Sequence, residues 1–146
     1  QLKIFTAFLE ASKGTDKVLN IHSAGAEEQV AAMLQTYEMK RVNMHWFDAA
    51  EQGKPLKLVP KLVELGYFFS ITPGVATSNN MRELVRMVPL ESLLTETDTH
   101  PLVKYNGLPS APKMVKIAVE EIARVKNRTV EEVENAIADN FARLVG

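Results

Sequence analysis

Three side chains that can bind a metal ion lie at or just beyond the ends of predicted strands. His22 ends the first predicted strand, His45 lies next to the last residue of the second, and Asp98 follows the fourth by two residues. Side chains at the C-terminal ends of parallel strands share one mouth of the sheet, where such folds place their chemistry. Two neutral imidazoles and a carboxylate suit zinc, manganese or another divalent ion. Such an ion makes water a usable nucleophile near neutral pH, and a nearby carboxylate can accept its proton.

Each of these residues also has an ordinary structural interpretation. A lone histidine near a strand more often packs or forms a hydrogen bond than binds a metal, and an aspartate after a strand is usually a helix cap or a loop residue. The chain has only three histidines, and two of them fall at equivalent strand ends. From spacing alone, both interpretations therefore stay open.

Other catalytic chemistries find less support. The chain has no cysteine, which excludes a disulfide scaffold, a thiolate metal site and a cysteine nucleophile. It contains no G-x-G-x-x-G, no Walker A sequence and no G-x-S-x-G. Ser23 follows His22 directly, but neighbours on a strand point to opposite faces, so they do not form a nucleophile and base pair.

Strands and helices alternate in the pattern that would position the three side chains. The predicted strands are Val18–His22, Arg41–Trp46, Tyr67–Ile71 and Ser92–Glu96. The predicted helices cover residues 2–13, 27–38, 56–65 and 80–88, an irregular loop covers 98–109, and two final helices start near 110 and 129. This alternation predicts an α/β fold with parallel strands joined by helical crossovers. A whole (β/α)8 barrel needs about 200 to 250 residues, so 146 residues fit half a TIM barrel or a small open sheet.

Composition excludes several broad classes. Hydrophobic residues make up 46% and charged residues 24%, and the net charge of −1 argues against strong non-specific binding to nucleic acid or to a membrane. The longest apolar runs are only a few residues, so no membrane span is expected. The absence of cysteine fits a reducing compartment, and we expect a cytoplasmic protein. Gln1 and its neighbours show neither a start methionine nor a signal pattern, which predicts the interior of a longer gene product.

Five sequence motifs occur along the chain in a fixed order. They are Val18-Leu19-Asn20-Ile21-His22-Ser23, Met44-His45-Trp46-Phe47, Phe69-Ser70-Ile71-Thr72-Pro73-Gly74, Leu93-Leu94-Thr95-Glu96-Thr97-Asp98 and Asp139-Asn140-Phe141-Ala142-Arg143-Leu144. Together, in this order, they resemble the TatD-like family of metal-dependent deoxyribonucleases. Glu96-Thr97-Asp98 followed by Pro101 is the most specific of them. The resemblance covers the whole chain.

The resemblance implies an amidohydrolase-like TIM barrel of which residues 1–146 form one partial domain, the fifth to eighth βα units. It implies one or two divalent ions, zinc, magnesium or manganese, with His22 and His45 on one ion. Asp98 would bind the other ion and orient or deprotonate the attacking water. Glu96 would support the site through hydrogen bonds, although a solvated or capping carboxylate is the alternative. Asn140 would tie the last helix to the barrel.

The chain departs from the family pattern on the side of the mouth expected to meet substrate, which includes Ser23, Trp46 and Phe47. The family usually has a basic residue where Ala24 stands, cysteine at Trp46 and a small residue at Asp48, and often Asn-Glu-Pro where this chain has Ser110-Ala111-Pro112. The family's His-x-His strand and its bridging glutamate are absent from these residues. The departures therefore affect the expected substrate more than the expected metal.

Three functions remain open at this point. The leading hypothesis is a metal-dependent hydrolase of phosphodiester bonds, with DNA as substrate. The second keeps the fold and the metal but cleaves an amide or ester bond in a small molecule. The third is a non-catalytic, truncated α/β module, whose exposed sheet edges and apolar inner face favour self-association or binding of the missing N-terminal half.

Overall fold

A computed structural model describes residues 1–47, 55–99, 103–105 and 107–146. The core element is a four-stranded sheet in which every neighbouring pair is parallel and the strands follow chain order. Its strands are β1 (Leu19–His22), β2 (Val42–His45), β3 (Phe68–Ile71) and β4 (Leu93–Thr95). The predicted α/β fold with four parallel strands is therefore confirmed.

The helices alternate with the strands as predicted, with bounds shifted by a few residues at most of their ends. They are α1 (Leu2–Ser12), α2 (Glu27–Thr36), α3 (Val59–Glu64), α4 (Asn79–Met87), α5 (Val115–Lys126) and α6 (Val130–Val145). Short 3-10 turns precede four of the elements, at Pro55–Leu58, Pro73–Ala76, Leu90–Ser92 and Pro112–Met114. Pro60 lies in the first turn of α3, where its missing N–H costs no helical hydrogen bond.

The loop after β4 is not wholly irregular, which corrects the prediction for residues 98–109. Two short antiparallel strands, β5 (Lys104–Tyr105) and β6 (Leu108–Pro109), form a hairpin there. Gly107 has a φ of 78°, a conformation that glycine adopts without steric cost. The sequence Asn106-Gly107 is a typical hairpin signal, although Asn106 lies outside the described residues.

The two faces of the sheet differ in character. Side chains facing the helices form the core and are fully buried, as at Val42, Met44, Phe69, Ile71 and Leu93. The other face borders an open cavity of about 650 Å³ whose sheet side carries Asn20, Asn43, His45, Ser70, Leu94 and Glu96. The expectation of an apolar inner face is therefore only partly met, because the sheet contributes mainly polar side chains besides Leu94, whereas α5 and α6 contribute apolar residues to the same cavity.

Several apolar residues of the helices are exposed. Leu2 and Phe8, which lie at helical spacing with Leu9 in α1, are 53% and 65% exposed, and Leu9 is the buried residue of that helix. Phe141 of α6 is 57% exposed and borders the cavity. Helical spacing indicates which residues share a face, but it cannot show whether a neighbouring layer covers that face.

No helix in the described parts of the chain combines the length and the apolar character that a membrane crossing requires.

Candidate metal centre

The register of β1 and β2 places the two predicted histidine ligands side by side. His22 pairs with His45 across the sheet, so both rings leave the same face at the same strand end. Their centroids are 5.5 Å apart and the rings are tilted by 57°. Two imidazoles that bind one ion at ~2 Å have ring centroids roughly 5 Å apart. The pair therefore has a spacing compatible with a shared ion.

Glu96 fixes the orientation of the His45 ring. One oxygen of its carboxylate, Oε2, forms an ion pair with His45 Nδ1, while the other, Oε1, accepts hydrogen bonds from Trp46 N–H at 2.8 Å and Ser70 Oγ at 2.5 Å. Glu96 is therefore not a solvated or capping carboxylate. Because Nδ1 is held by Glu96, Nε2 is the nitrogen of His45 that remains available to a ligand.

The same contacts change the proton affinity of His45. The pKa of His45 is raised, chiefly by the hydrogen bond with Glu96 and further by the negative charges of Glu96 and Asp98. Burial of the ring acts in the opposite direction and does not cancel these effects.

Asp98 approaches the free nitrogen of His45. Its Oδ1 lies 3.9 Å from His45 Nε2, which is too long for a direct hydrogen bond. Asp98 has a φ of 42°, a conformation that is costly for a residue with a Cβ. The preceding carbonyl, of Thr97, accepts hydrogen bonds from Tyr105 Oη at 3.0 Å and Ser110 Oγ at 2.7 Å. These two bonds hold the segment in which Asp98 adopts its strained backbone.

The predicted convergence is confirmed for His45 with each of its two neighbours, whereas the ligand roles stay predictions. The donor types suit a divalent ion, since one imidazole is held by a carboxylate with its Nε2 open and a second imidazole and a carboxylate lie beside it. Within the described residues, however, no group of three or more His, Cys, Asp and Glu is arranged to hold a metal ion. The donor types of His22, His45 and Asp98 therefore fit a divalent ion, although the described residues do not form a complete ligand set.

The residues expected on the substrate side do not all reach a surface. Trp46 is half-buried with its ring 6.4 Å from that of His22, and it has a φ of 40°. Phe47 is only 1% exposed and packs edge-on against Phe69, and Ser23 is also buried. The assignment of Ser23 and Phe47 to the substrate side is therefore not supported by their burial.

Ser110 and Asp48 are two further positions at which the chain departs from the family pattern. Ser110 is buried and donates to the Thr97 carbonyl, so it acts within the protein instead of lining the mouth. Asp48, and Pro101 of the Glu96-Thr97-Asp98 motif, lie outside the described residues.

Sequence reasoning missed the polar residues that support the site. Asn20, Asn43 and Ser70 lie on the cavity face of the sheet, at or below the level of the two histidines. Two of them could have been found, because Asn20 precedes His22 and Asn43 precedes His45 by two residues, the spacing that places strand side chains on one face. Ser70 could be recognised as the only polar residue in the run Tyr67–Ile71.

Comparisons with known proteins place these features in a family. A family model described as TatD related DNase matches residues 1–146. Human deoxyribonuclease TATDN3 is 31% identical over 144 residues, which cover 99% of this chain and 51% of the human protein. An uncharacterized metal-dependent hydrolase, MJ1582 of Methanocaldococcus jannaschii, is 30% identical over 143 residues, covering 98% of this chain and 55% of that protein.

A solved structure has the same fold. YJJV, a TatD homolog from Escherichia coli K12, superposes with a TM-score of 0.76 at 24% identity, over 93% of this chain and 52% of that one. The chain thus spans about half the length of the curated relatives that it matches. With its whole length matched by the family model and its strand-end residues gathered at one mouth, the chain belongs to the TatD-related DNase family.

Proposed function

We propose that this chain forms the fifth to eighth βα units of a (β/α)8 barrel whose complete form is a metal-dependent deoxyribonuclease. Two findings support the half-barrel: the chain covers about half of its relatives, and its sheet has four parallel strands whose outer edges, at β1 and β4, pair with no other strand in the described part of the chain. A closed barrel of this kind needs eight strands. The relatives' names support a metal-dependent hydrolase that acts on DNA.

One observation carries the proposal, namely the orientation of His45. Its Nδ1 is held by Glu96 while its Nε2 faces Asp98 beside the ring of His22. Carboxylate-supported histidines of this type are widespread among protein metal ligands, because the carboxylate fixes the ring and makes the free nitrogen a better donor. His22, His45 and Asp98 would thus hold one side of a centre with one or two divalent ions.

In this proposal each residue of the site has a separate chemical role. A bound divalent ion would supply positive charge to polarise a phosphate and lower the pKa of water. His22 and His45 would be neutral donors, whereas the Asp98 carboxylate would orient the attacking water and accept its proton. Glu96 would keep one proton of His45 on Nδ1, so that Nε2 is the nitrogen that binds the ion.

The test is Asp98→Asn in the complete polypeptide that the gene encodes. This change keeps the side-chain shape but removes both the charge and the proton acceptor, so we expect the fold to persist and DNA hydrolysis to fall by at least about a hundredfold. Hydrolysis is measured on a DNA substrate with added Mg²⁺, Mn²⁺ or Zn²⁺ and with a chelator.

Asp139→Asn is the matched control, because Asp139 is an exposed aspartate of α6 far from the strand ends in sequence. It should retain wild-type turnover. Near wild-type turnover of the Asp98 variant would show that Asp98 is only a loop residue. A complete protein that cleaves small esters but no DNA would replace the nuclease with the small-molecule hydrolase.

A further inference from the structure

A continuous chain of hydrogen bonds crosses the sheet beneath the mouth and ends at His45. Asn43 Nδ2 donates both to Asn20 Oδ1, at 2.7 Å, and to Ser70 Oγ, at 2.9 Å. Ser70 Oγ in turn donates to Glu96 Oε1 at 2.5 Å, and Glu96 Oε2 pairs with His45 Nδ1. The five side chains come from β1, β2, β3 and the residue after β4, so the bonds connect all four strands of the sheet.

The direction of these bonds is set by the number of hydrogens available. Both hydrogens of Asn43 Nδ2 are used, so Ser70 Oγ accepts one of them and its single hydroxyl hydrogen goes to Glu96. Asn43 Oδ1 is buried and has no hydrogen-bond partner among the described residues. A buried acceptor without a partner is unfavourable. The side-chain amide of Asn43 nevertheless points its NH2 group toward Ser70 and Asn20. This orientation leaves its Oδ1 without a hydrogen-bond partner among the described residues.

Burial protects these hydrogen bonds from competition with water. Asn43 and Ser70 are 7% and 3% exposed, so water competes little for their donors. Glu96 Oε1 receives two donors, from Ser70 and from the backbone of Trp46, on one side of the carboxylate. This arrangement leaves Oε2 for His45 and restricts rotation of the carboxylate plane. Of the two donors, only Ser70 is a side chain, and it is the one that Asn43 orients.

We infer that Ser70, oriented by Asn43, is a positioning residue that holds Glu96 in the orientation that keeps His45 Nε2 available to a metal ion. This inference rests on the proposed metal centre and deepens it, since it assigns the site a support two side chains away from the ion. Ser70 lies beside His45 in the register of β2 and β3, but its side-chain hydrogen bonds in the described residues are with Asn43 and Glu96. We therefore expect its effect on His45 to pass through Glu96.

The experiment is a double-mutant cycle between Ser70→Ala and Glu96→Gln in the complete polypeptide, with two measurements. The first is the affinity for Zn²⁺ alone, by competition with a chromophoric chelator. We expect Ser70→Ala to weaken Zn²⁺ binding about tenfold, the lower end of what outer hydrogen-bond partners of metal ligands contribute. In the Glu96→Gln background the same change should have no further effect, since the group through which Ser70 acts is already altered.

The second measurement needs neither metal nor activity. In the metal-free protein, the His45 Nδ1–H proton should give a low-field NMR resonance because it is bonded to Glu96. Ser70→Ala should move this resonance upfield and speed its exchange with water. Asn43→Leu removes the donor to Ser70 at similar side-chain volume, so it should change both measurements in the same direction as Ser70→Ala but by a smaller amount. If Ser70→Ala does not fold, Asn43→Leu takes its place in the experiment.

Ser78→Ala is the matched control, because it removes the same hydroxyl group from the serine that caps α4 and accepts a hydrogen bond from Met81 N–H instead of bonding to Glu96. It should leave Zn²⁺ affinity and the His45 resonance unchanged. The inference is overturned if Ser70→Ala changes neither measurement, or weakens Zn²⁺ binding equally in both backgrounds. A complete protein that binds no Zn²⁺ and cleaves no DNA would contradict the proposed function, whereas the NMR measurement would still decide the role of Ser70.

Discussion

At the scale of single residues, the two nitrogens of His45 have separate tasks. Nδ1 is committed to Glu96, and Nε2 faces Asp98 without a direct hydrogen bond. Two neighbours of His45, Trp46 and Asp98, both have a left-handed backbone conformation. Strained residues of this kind cluster at functional sites, where surrounding contacts hold them. Here those contacts are the bond from Trp46 N–H to Glu96 and the two bonds to the Thr97 carbonyl.

Replacing Glu96 with Gln should lower the pKa of His45 in the metal-free protein. The amide carries no charge and can offer its NH2 group to Nδ1, so the imidazolium loses its main support.

The raised pKa of His45 also affects the stability of the folded protein. Its stabilising contribution is complete below the ordinary histidine pKa of 6.5 and is lost as the pH rises through the higher folded value. Histidine NMR titration measures the pKa, and urea unfolding at several pH values measures the stability.

Glu28→Gln supplies the control for this prediction, because Glu28 is exposed in the first turn of α2. It should leave the titration of His45 unchanged. An unaltered His45 pKa in the Glu96 variant would mean that the ion pair does not persist in solution.

Strand-end position was enough to predict the main residues of the site but not their supports. His22, His45 and Asp98 could be selected because their spacing follows the strand cadence. The contact between Ser70 and Glu96 depends on the register of β3 against β4, which places Ser70 opposite Leu94, two residues before Glu96. A shift of the register by one residue would turn these side chains to opposite faces. No local sequence pattern fixes that register, so the support became visible only in three dimensions.

At the scale of the elements, the final helix has the clearest sequence signal and the closest agreement. The Thr129 side chain accepts a hydrogen bond from Glu132 N–H, and the Glu132 carboxylate accepts one from Thr129 N–H, which together form the capping box that the sequence Thr129-Val130-Glu131-Glu132 is typical of. These local signals depend only on neighbouring residues, so sequence alone suffices. The hairpin of β5 and β6 was missed because strands of two residues are too short to show an alternating pattern.

The capping box gives a pH-dependent prediction. The pKa of Glu132 is lowered, chiefly by the hydrogen bond from Thr129 N–H, with smaller contributions from the Thr129 side chain and Arg128. A lowered folded pKa means a stabilising contribution that is present above the ordinary glutamate pKa and is lost as the pH falls through the folded value. We therefore expect Glu132→Gln to be less stable than wild type at neutral pH, with the difference shrinking below about pH 4. Urea unfolding across this range measures it.

Glu131→Gln is the comparison for this experiment, since Glu131 lies in the same helical turn and is also exposed. It removes an equal charge without removing a capping bond. If the two variants lost stability equally at every pH, general helix electrostatics would explain the effect and the capping bond would not.

At the scale of the whole molecule, one face of the sheet is packed against helices and the other borders an open cavity. The helix-facing side is packed around fully buried residues such as Met44 and Phe69. The cavity side carries amides, a hydroxyl and the site residues beside apolar residues of α5 and α6, and within the described residues β1 and β4 each pair on one edge. Unpaired strand edges favour association with another chain. An inner face with exposed apolar residues and with Asn43 Oδ1 unpartnered among the described residues also fits a surface that a second wall would cover.

We expect the 146-residue chain by itself to be catalytically silent and to self-associate, because four strands cannot close the proposed barrel and the proposed ligand set would be only partial. Mixing it with the separately produced preceding part of the same polypeptide should restore metal-dependent DNA hydrolysis. The two parts are assayed alone and together, with and without a chelator, and light scattering gives the mass of each species. Asp98→Asn in the mixture is the control and should stay inactive.

Full activity from the chain alone as a monomer would contradict both the half-barrel and the partial ligand set. The fold class could be predicted from the alternation of strands and helices, whereas closure of the sheet into the proposed barrel could not be derived from that alternation. The exposure of Leu2 and Phe8 has the same origin, since a helical stripe cannot reveal whether a neighbouring layer is present.

Helix α6 joins parts of the chain that are made at very different times during translation. Asn140 Nδ2 donates to the carbonyls of Leu90 and Leu93, both at 2.7 Å, at the entrance to β4, as the resemblance implied for this residue. Arg41 Nε, at the start of β2, donates to the Leu144 carbonyl across a sequence separation of 103 residues. These contacts close long loops and form slowly relative to local helices. While the ribosome is still making α6, the starts of β2 and β4 lack these partners, so the sheet stays accessible to chaperones and proteases until the helix emerges.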